Sequence, residues 1–397
     1  MANVYFSLFY LLLGGCIFMG LSNGQTKVVS SLFVLVFVAG LLVGGLFLFF
    51  VTVNGDGDSS LRTEVAGLQA RVSELEGSRN VTYQNVTIYQ DGVSFSELYV
   101  RVKDSVVLVQ GVTRDGPVQG SGFVYSFQRQ YVVITNYHVV QGADSLSVTF
   151  QNAHGYSATV LGSDPYADLA IVSVNAPTAE FKPLQIVSSS NLCVGEQVIA
   201  IGNPYGLVGS YTVGVISALG RTLTGEMTNR FSIANVIQTT TPINPGNSGG
   251  PLLNAAGDVI GITTAIVSES QGLAFAIPSN TILREIGALI ATGTYSGHSY
   301  LGANGNDMDY NTAQRFNSSV TYGWRIASIV NGGPSDGKLQ VGDIIVALDG
   351  VKIKNNDDLA SYLSEKTVPG QNVNITVMRN NTNTTIAVTL NERPTIT

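Results

Sequence analysis

Apolar and polar positions divide the chain into three regimes. In the first, residues 4–21 and 28–53 form uncharged apolar runs of 18 and 26 residues, separated by the polar stretch 22–27. A bilayer core is crossed by about 20 apolar helical residues. The pattern therefore predicts a transmembrane helix over 28–53. The run 4–21 is a second span, a signal-like core, or an extension upstream of a start at Met19. In the second regime Leu61, Val65, Leu68, Val72 and Leu75 recur at alternating spacings of four and three, flanked by Arg62, Glu64, Arg71, Glu74 and Glu76. That is a heptad seam. At two heptads it fits a short amphipathic stalk helix as well as an oligomerising one.

The third regime starts near Glu97. Short apolar runs at 105–110, 131–135, 146–150, 169–174, 197–201 and 259–264 alternate with Gly, Asn, Asp and Pro turns. Regular short strands predict an antiparallel barrel or sandwich. Helical spacing is clear at Asn280–Ala291, with Ser279 as expected N-cap and Gly293 beyond its end. Residues 294–299 read as a linker. The remaining module has strands near 324–330, 343–348, 372–378 and 384–390 and a helix at Asp357–Glu365. The expected organisation is an anchor at 1–55, a stalk at 56–96, a β domain at 97–293 and a smaller α+β domain at 294–397.

Composition locates the membrane part. The mean hydropathy is +0.25 and only 12 % of the 397 residues are charged, against about a quarter in soluble domains. Lys27 is the only charged side chain before Asp56, so the hydropathy belongs to the anchor. With Asp56 and Asp58 beyond the span, Lys27 orients the N-terminal end toward the cytoplasm and the body outside it. Six Asn-x-Ser/Thr sequons, at Asn80, Asn85, Asn317, Asn374, Asn380 and Asn383, agree with that orientation. The net charge of −7 without a basic block argues against nucleic acid as a partner. The two cysteines, Cys16 and Cys193, leave the body without an internal disulfide. Leu13-Gly14-Gly15-Cys16 has the form of a lipoprotein cleavage box but lacks the basic residues before it. Asn54-Gly-Asp-Gly-Asp lacks the glycine and the final acid of a calcium loop and reads as linker.

Nucleophilic acyl transfer by serine needs a base, an acid to orient it, and amides to hold the oxyanion. His138 lies just past a strand, Asp168 starts another, and Gly246-Asn247-Ser248-Gly-Gly-Pro251 is a glycine-rich turn around a serine. Each alone also fits a loop histidine, a turn cap and a tight turn, and Asp164 is a rival for the acid. The order His, Asp, Ser is that of one known triad arrangement. His154 and His298 stand in no such context and read as surface and linker residues.

On these residues the chain resembles the HtrA (high-temperature-requirement) serine proteases, a trypsin-like domain followed by a PDZ domain. Further stretches carry the likeness: Gly120-Ser-Gly-Phe-Val, Ile134-Thr-Asn-Tyr-His-Val-Val, Asp168-Leu-Ala, Ile201-Gly-Asn-Pro-Tyr-Gly, Gly214-Val-Ile-Ser-Ala-Leu-Gly-Arg221 and Gly272-Leu-Ala-Phe-Ala-Ile-Pro278. The second module shares Tyr300-Leu301-Gly302-Ala303, Gly332-Gly-Pro and Val341-Gly-Asp-Ile-Ile. The resemblance implies a chymotrypsin-like double β-barrel with His138 as base, Asp168 as its orienter and Ser248 as nucleophile. It also implies an oxyanion hole in the Gly246-Asn247-Ser248 turn, chiefly the amides of Gly246 and Ser248. Gln271, Gly272 and Leu273 would pair with extended substrate, and Arg221 would lie in a regulatory loop. The family usually forms trimers. The turn Ser126–Gln130 is shorter than the inhibitory loop of some relatives, and Tyr137 stands where the family often has alanine.

Cleavage after Lys or Arg needs a carboxylate about six residues before the nucleophile, where this chain has Pro242. With Ile243 and Ile266 nearby, the expected pocket is apolar and takes small aliphatic residues. The PDZ module would add a C-terminal peptide to a sheet edge, with its carboxylate at Tyr300–Ala303. No nucleotide or metal motif occurs, and no cofactor is expected. The implied function is a membrane-tethered, ATP-independent endopeptidase acting on unfolded or exposed extracytoplasmic polypeptides. A chaperone or peptide-binding scaffold with a resting-inactive triad, and a signalling protease with one membrane partner, remain alternatives.

Overall fold

The computed structural model describes residues 40, 67, 94–203, 210–223, 232–244, 246–266 and 273–394, with the backbone alone at 265 and 266. Apart from residue 40, the predicted spans lie outside the described residues. So do the heptad positions, Asn80, Asn85, Gln271 and Gly272. Among the described residues no helix is long and apolar enough to cross a membrane. Residues 88–397 form one compact unit.

Helix α1 (Phe95–Val102) opens this unit. Ser94 and Glu97 cap it reciprocally, and Leu98 and Val102 are its buried residues. Eight residues with so narrow an apolar face gave no clear helical period in the sequence. Six antiparallel strands follow: β1 (Val106–Thr113), β2 (Gly116–Phe127), β3 (Gln130–Thr135), β4 (Ser145–Thr149), β5 (Gly155–Asp164) and β6 (Leu169–Val174). They close a barrel in the order β1-β2-β3-β6-β5-β4, with the one-turn helix α2 (Tyr137–Val140) between β3 and β4. A second closed barrel is built from β7 (Gln197–Gly202), β8 (Ser210–Leu223), β9 (Ile233–Thr239), β10 (Pro251–Leu253), β11 (Val259–Ile266) and β12 (Ala274–Pro278). Its order is β10-β11-β12-β9-β8-β7.

Successive strand side chains point to opposite faces, and here both faces are covered. Val107, Val109, Val133, Ala170 and Val172 share one cluster inside the first barrel. Their neighbours Val106, Val132, Ile134, Leu169 and Ile171 join a second cluster that also holds Ile199, Leu253 and Ile262 of the second barrel. This is why these strands read as continuous apolar runs rather than alternating ones. The shared cluster seals the two barrels together and sets the cleft between them. Helix α3 (Ser279–Thr292) packs Ile282, Ile286 and Leu289 into the same cluster. Ser279 is its first helical residue and not its N-cap; Pro278 takes that place, and Ser279 Oγ donates to the carbonyl of Val187 at 2.6 Å. Gly293 ends the helix at φ +81°.

The C-terminal module has a sheet of β14 (Ala303–Asp307), β15 (Trp324–Ile329), β16 (Ile344–Leu348), β18 (Asn372–Arg379) and β19 (Thr382–Thr389), with β17 (Val351–Lys352) beside β16. A small pair, β13 (Ser299–Tyr300) with β20 (Asn391–Glu392), stands apart from it. Its helices are α4 (Tyr310–Arg315) and α5 (Asn356–Lys366), the latter capped by Asn355, which accepts from the Asp358 amide at 3.0 Å. The sequons at Asn317, Asn374, Asn380 and Asn383 are all exposed.

Candidate active site

Asp168 and His138 meet at the mouth of the first barrel. Asp168 stands at φ +50°, a left-handed conformation uncommon outside glycine but tolerated by aspartate. That turn aims both its backbone and its carboxylate at α2. Its carbonyl accepts from the Tyr137 amide (3.1 Å) and from Asn136 Nδ2 (3.0 Å). Its carboxylate accepts from the His138 amide at 3.0 Å and faces His138 Nδ1 at 2.8 and 3.0 Å. Thr264 Oγ1 of β11 also donates to the Asp168 carboxylate. The carboxylate side chain is 7 % exposed and the imidazole 28 %, so the acid is sealed while the ring reaches the cleft. The rival acid, Asp164, pairs instead with His298.

Ser248 comes from the second barrel, on a turn that the first barrel holds in place. Ser121, fully buried, joins the two: its amide donates to the Ser248 carbonyl (2.8 Å) and its hydroxyl to the Gly246 carbonyl (2.6 Å). The same hydroxyl accepts from the Asn203 amide at 2.8 Å. Gly249, at φ +86°, lies so close that a Cβ would sit 2.1 Å from the Ser121 carbonyl oxygen. The Asn247 amide donates to the Asn244 carbonyl at 2.9 Å. Ser248 Oγ donates to the Thr264 carbonyl at 2.8 Å, not to His138. Thr264 thus touches two of the three expected groups, its hydroxyl on Asp168 and its carbonyl on Ser248.

The other expected site residues are less gathered. Ile243 is 5 % exposed and packs with Val198, Ile216 and Leu252 inside the second barrel. The Ile266 backbone pairs with Ala274, and Leu273 is exposed on the rim. At the C-terminal module, the carbonyls of Leu301 and Gly302 accept from Ser335 Oγ (2.6 Å) and the Val330 amide (2.9 Å). Tyr300–Ala303 edge a cavity of about 280 Å³ shared with Ile233, Arg284 and Leu359. Helix α5 docks on the second barrel there. The Asp357 carboxylate accepts from Arg221 Nη1 (3.2 Å) and the Thr222 amide (2.8 Å). Ser361 Oγ donates to the Gly220 carbonyl (3.0 Å), and Asn235 Nδ2 to Glu365 (2.7 Å).

Sequence reasoning overlooked Ser121, Thr264 and Asn136. Ser121 lies inside the stretch Gly120-Ser-Gly-Phe-Val, and nothing in its neighbours along the chain marks it as the tie to Gly246 and Ser248. Thr264 lies 96 positions from Asp168 and carries no local signal. His298, read as a linker residue, is largely buried against Asp164 and Glu285, because the linker folds back over the end of β5 and over α3. His154 is an exposed partner of Glu180.

Residues 120–262 match the trypsin-like peptidase domain family and residues 300–390 the PDZ domain family. Among known proteins, the chain is 36 % identical over 291 residues to the chloroplastic Protease Do-like 1 of Arabidopsis thaliana, covering 70 % of this chain and 64 % of that one. It is 38 % identical over 282 residues to a probable periplasmic DegP-like serine endoprotease of Chlamydia trachomatis, covering 70 % and 55 %. The chain thus spans little more than half the length of these relatives. Among solved structures, the HtrA-type protease AlgW with a tripeptide superposes with a TM-score of 0.64 at 30 % identity, covering 77 % of this chain and 99 % of that one. A serine endoprotease from Yersinia pestis gives 0.56 at 28 %, covering 76 % and 99 %. With two closed barrels meeting at a His–Asp pair and a serine turn, and a PDZ module behind them, the chain belongs to the HtrA-type serine proteases.

Proposed function

We propose that the protein is a serine endopeptidase that cuts exposed polypeptide through an acyl-enzyme. The observation that carries this is the imidazole of His138, held by both oxygens of a buried carboxylate that Thr264 links to Ser248. In this reading Ser248 Oγ leaves the Thr264 carbonyl, passes its proton to His138 Nε2 and attacks the scissile carbonyl carbon. His138 then gives that proton to the leaving amine, and water repeats the cycle on the ester. Asp168 fixes the tautomer, with Nδ1–H toward the carboxylate. The amides of Gly246 and Ser248 stabilise the oxyanion, the Asn247 amide being engaged by Asn244.

A resting-inactive state has its own support. The Ser248 hydroxyl is parked on a backbone carbonyl, and the expected carboxylate loop of the PDZ module opens onto a cavity that the protease body helps to close. Arg221, bonded to α5, is the proposed relay between the two. We assign 1–55 as the anchor, with 28–53 its transmembrane helix, 56–96 as the stalk, 97–293 as the protease and 294–397 as the PDZ domain, with the body extracytoplasmic. The pocket formed near Ile243 and Ile266 takes small aliphatic residues, and extended substrate pairs along 271–273.

Hydrolysis of unfolded casein by the detergent-solubilised full chain, compared with Ser248→Ala, tests the reading, with and without peptides ending in a hydrophobic residue. Wild-type cleavage lost in the variant is expected. Equal rates under both conditions overturn the protease assignment, and cleavage only with added peptide identifies the resting state.

A further inference from the structure

Away from the cleft, three ligand-type side chains converge where the linker crosses the protease body. Asp164 ends β5, Glu285 lies in α3 and His298 precedes β13, and one donor atom from each lies within 4.8 Å of the others. The side chains of Asp164 and Glu285 are 2 % and 0 % exposed and that of His298 is 13 %.

The outer oxygens of both carboxylates are already occupied. Asp164 Oδ1 accepts from the Tyr166 amide at 2.9 Å, and Glu285 Oε1 accepts from Arg284 Nη2 at 2.6 Å. Those bonds orient Asp164 Oδ2 toward His298 Nε2. They leave Glu285 Oε2 buried with no separate donor, facing only the Asp164 carboxylate. A buried carboxylate oxygen lacking a donor is unfavourable, and structures satisfy such groups with a partner or an ion.

We propose that Asp164, Glu285 and His298 form a binding site for a divalent cation of the nitrogen- and oxygen-preferring class, with Zn²⁺ the best match. One imidazole and two carboxylates are ligand types that suit this ion, and three protein ligands leave a position for water. The hydrogen bonds to the outer oxygens are the supporting shell such sites use to orient their ligands. The way in is on the His298 side, where the imidazole is edged by the Tyr166 and Tyr295 rings, 5.4 and 5.0 Å between centroids. The ion would tie the linker to the protease body. The Arg393 amide donates to the His298 carbonyl at 2.8 Å, so the C-terminal tail is held at the same point.

Full-length protein in detergent, stripped with chelator and dialysed against Zn²⁺, should retain one ion per chain with a dissociation constant of about 1 µM or lower near neutral pH. His298→Ala and Glu285→Gln should each weaken binding at least about tenfold, while His138→Ala and His154→Ala leave it unchanged. The chain has only three histidines. Co²⁺ in unmutated protein should therefore shift the NMR signals of one imidazole alone, that of His298, which keeps the test valid where a variant fails to fold. The absence of stoichiometric binding, or binding that survives both cluster variants, overturns the proposal. So does a Co²⁺ shift at His138 or His154, and a proton on Glu285 is then the occupant.

Discussion

Gly249→Ala, set beside Gly142→Ala, isolates how tightly the first barrel clamps the nucleophile turn. Both glycines have positive φ, +86° and +69°. An alanine at either site pays the left-handed backbone cost of roughly 1–2 kcal/mol. Their surroundings differ. At Gly142 an added Cβ meets nothing within 4 Å, whereas at Gly249 it would lie 2.1 Å from the Ser121 carbonyl oxygen and 2.4 Å from Thr135 Oγ1. Those atoms are themselves bonded, Thr135 Oγ1 donating to that carbonyl at 2.7 Å in the fully buried wall of the barrel. They have no room to retreat, and overpacking of this kind adds about 1–3 kcal/mol or more.

Gly249→Ala should therefore destabilise by about 2–5 kcal/mol and Gly142→Ala by about 1–2. Relief of the clash also moves Ser248 away from Ser121, stretching the Ser121 N–H···O=C Ser248 bond of 2.8 Å. A displacement of about 1 Å at a nucleophile costs on the order of 100-fold in rate. Denaturant titration and kcat/KM on an unfolded substrate measure both effects. If the two variants agree within about 0.5 kcal/mol and Gly249→Ala keeps wild-type kcat/KM, the clamp does not exist as described.

Thr264→Val removes one donor from the Asp168 carboxylate but leaves the two from His138; kcat/KM should fall about 10–150-fold, the rate equivalent of about 1.5–3 kcal/mol for one hydrogen bond to a charged group. Asp357→Ala removes the acceptor shared by Arg221 and Thr222. Arg221 is half-exposed, so its ion pair contributes little, and the Thr222 amide bond dominates. Hydrogen exchange at the Thr222 amide should accelerate about tenfold, and unchanged exchange would show that α5 is held elsewhere. In chelator the pH dependence of stability should change with Glu285→Gln. Burial first, then the Asp164 carboxylate, hold Glu285 well above its ordinary value of 4.5. Its stabilising contribution is present below that value and lost as pH rises through the folded one. Asp164 opposes this limb: burial works to raise it, but the hydrogen bond and charge of His298, with the hydrogen bonds of Glu285 and the Tyr166 amide, together set it below its ordinary 3.8. Its contribution is present above that value and lost as pH falls through the folded one. Glu285→Gln should flatten the decline toward neutral pH and leave the acid limb, as followed by melting temperature in buffers from acid to neutral.

Local signals were legible where one short segment carried them. The strand runs at 169–174 and 197–201 appear as β6 and β7 almost to the residue, because four consecutive residues of β6 and five of β7 are buried, which covers both faces with apolar side chains. The α3 period was visible because that helix buries Ile282, Ile286 and Leu289 along one face. Helix α1 was not, being short, with only Leu98 and Val102 buried. Spacing likewise pointed to His138, Asp168 and Ser248, since a turn that exposes a serine or holds an aspartate at positive φ needs particular neighbours.

By itself the sequence determined the two-module architecture and the residue types available for acyl transfer. These depend on composition and period, which are properties of neighbours along the chain. Only the tertiary structure decided between Asp168 and Asp164 as partner of His138, and turned His298 from a linker residue into part of a buried cluster. The same is true of Thr264, which links acid and serine, and of the docking of α5 over Arg221. Each choice is made by barrel closure or by a fold-back that brings together residues about 30 to 136 positions apart. Loop closure over such lengths leaves no local trace, because its entropic cost varies only slowly with separation and is met by packing elsewhere.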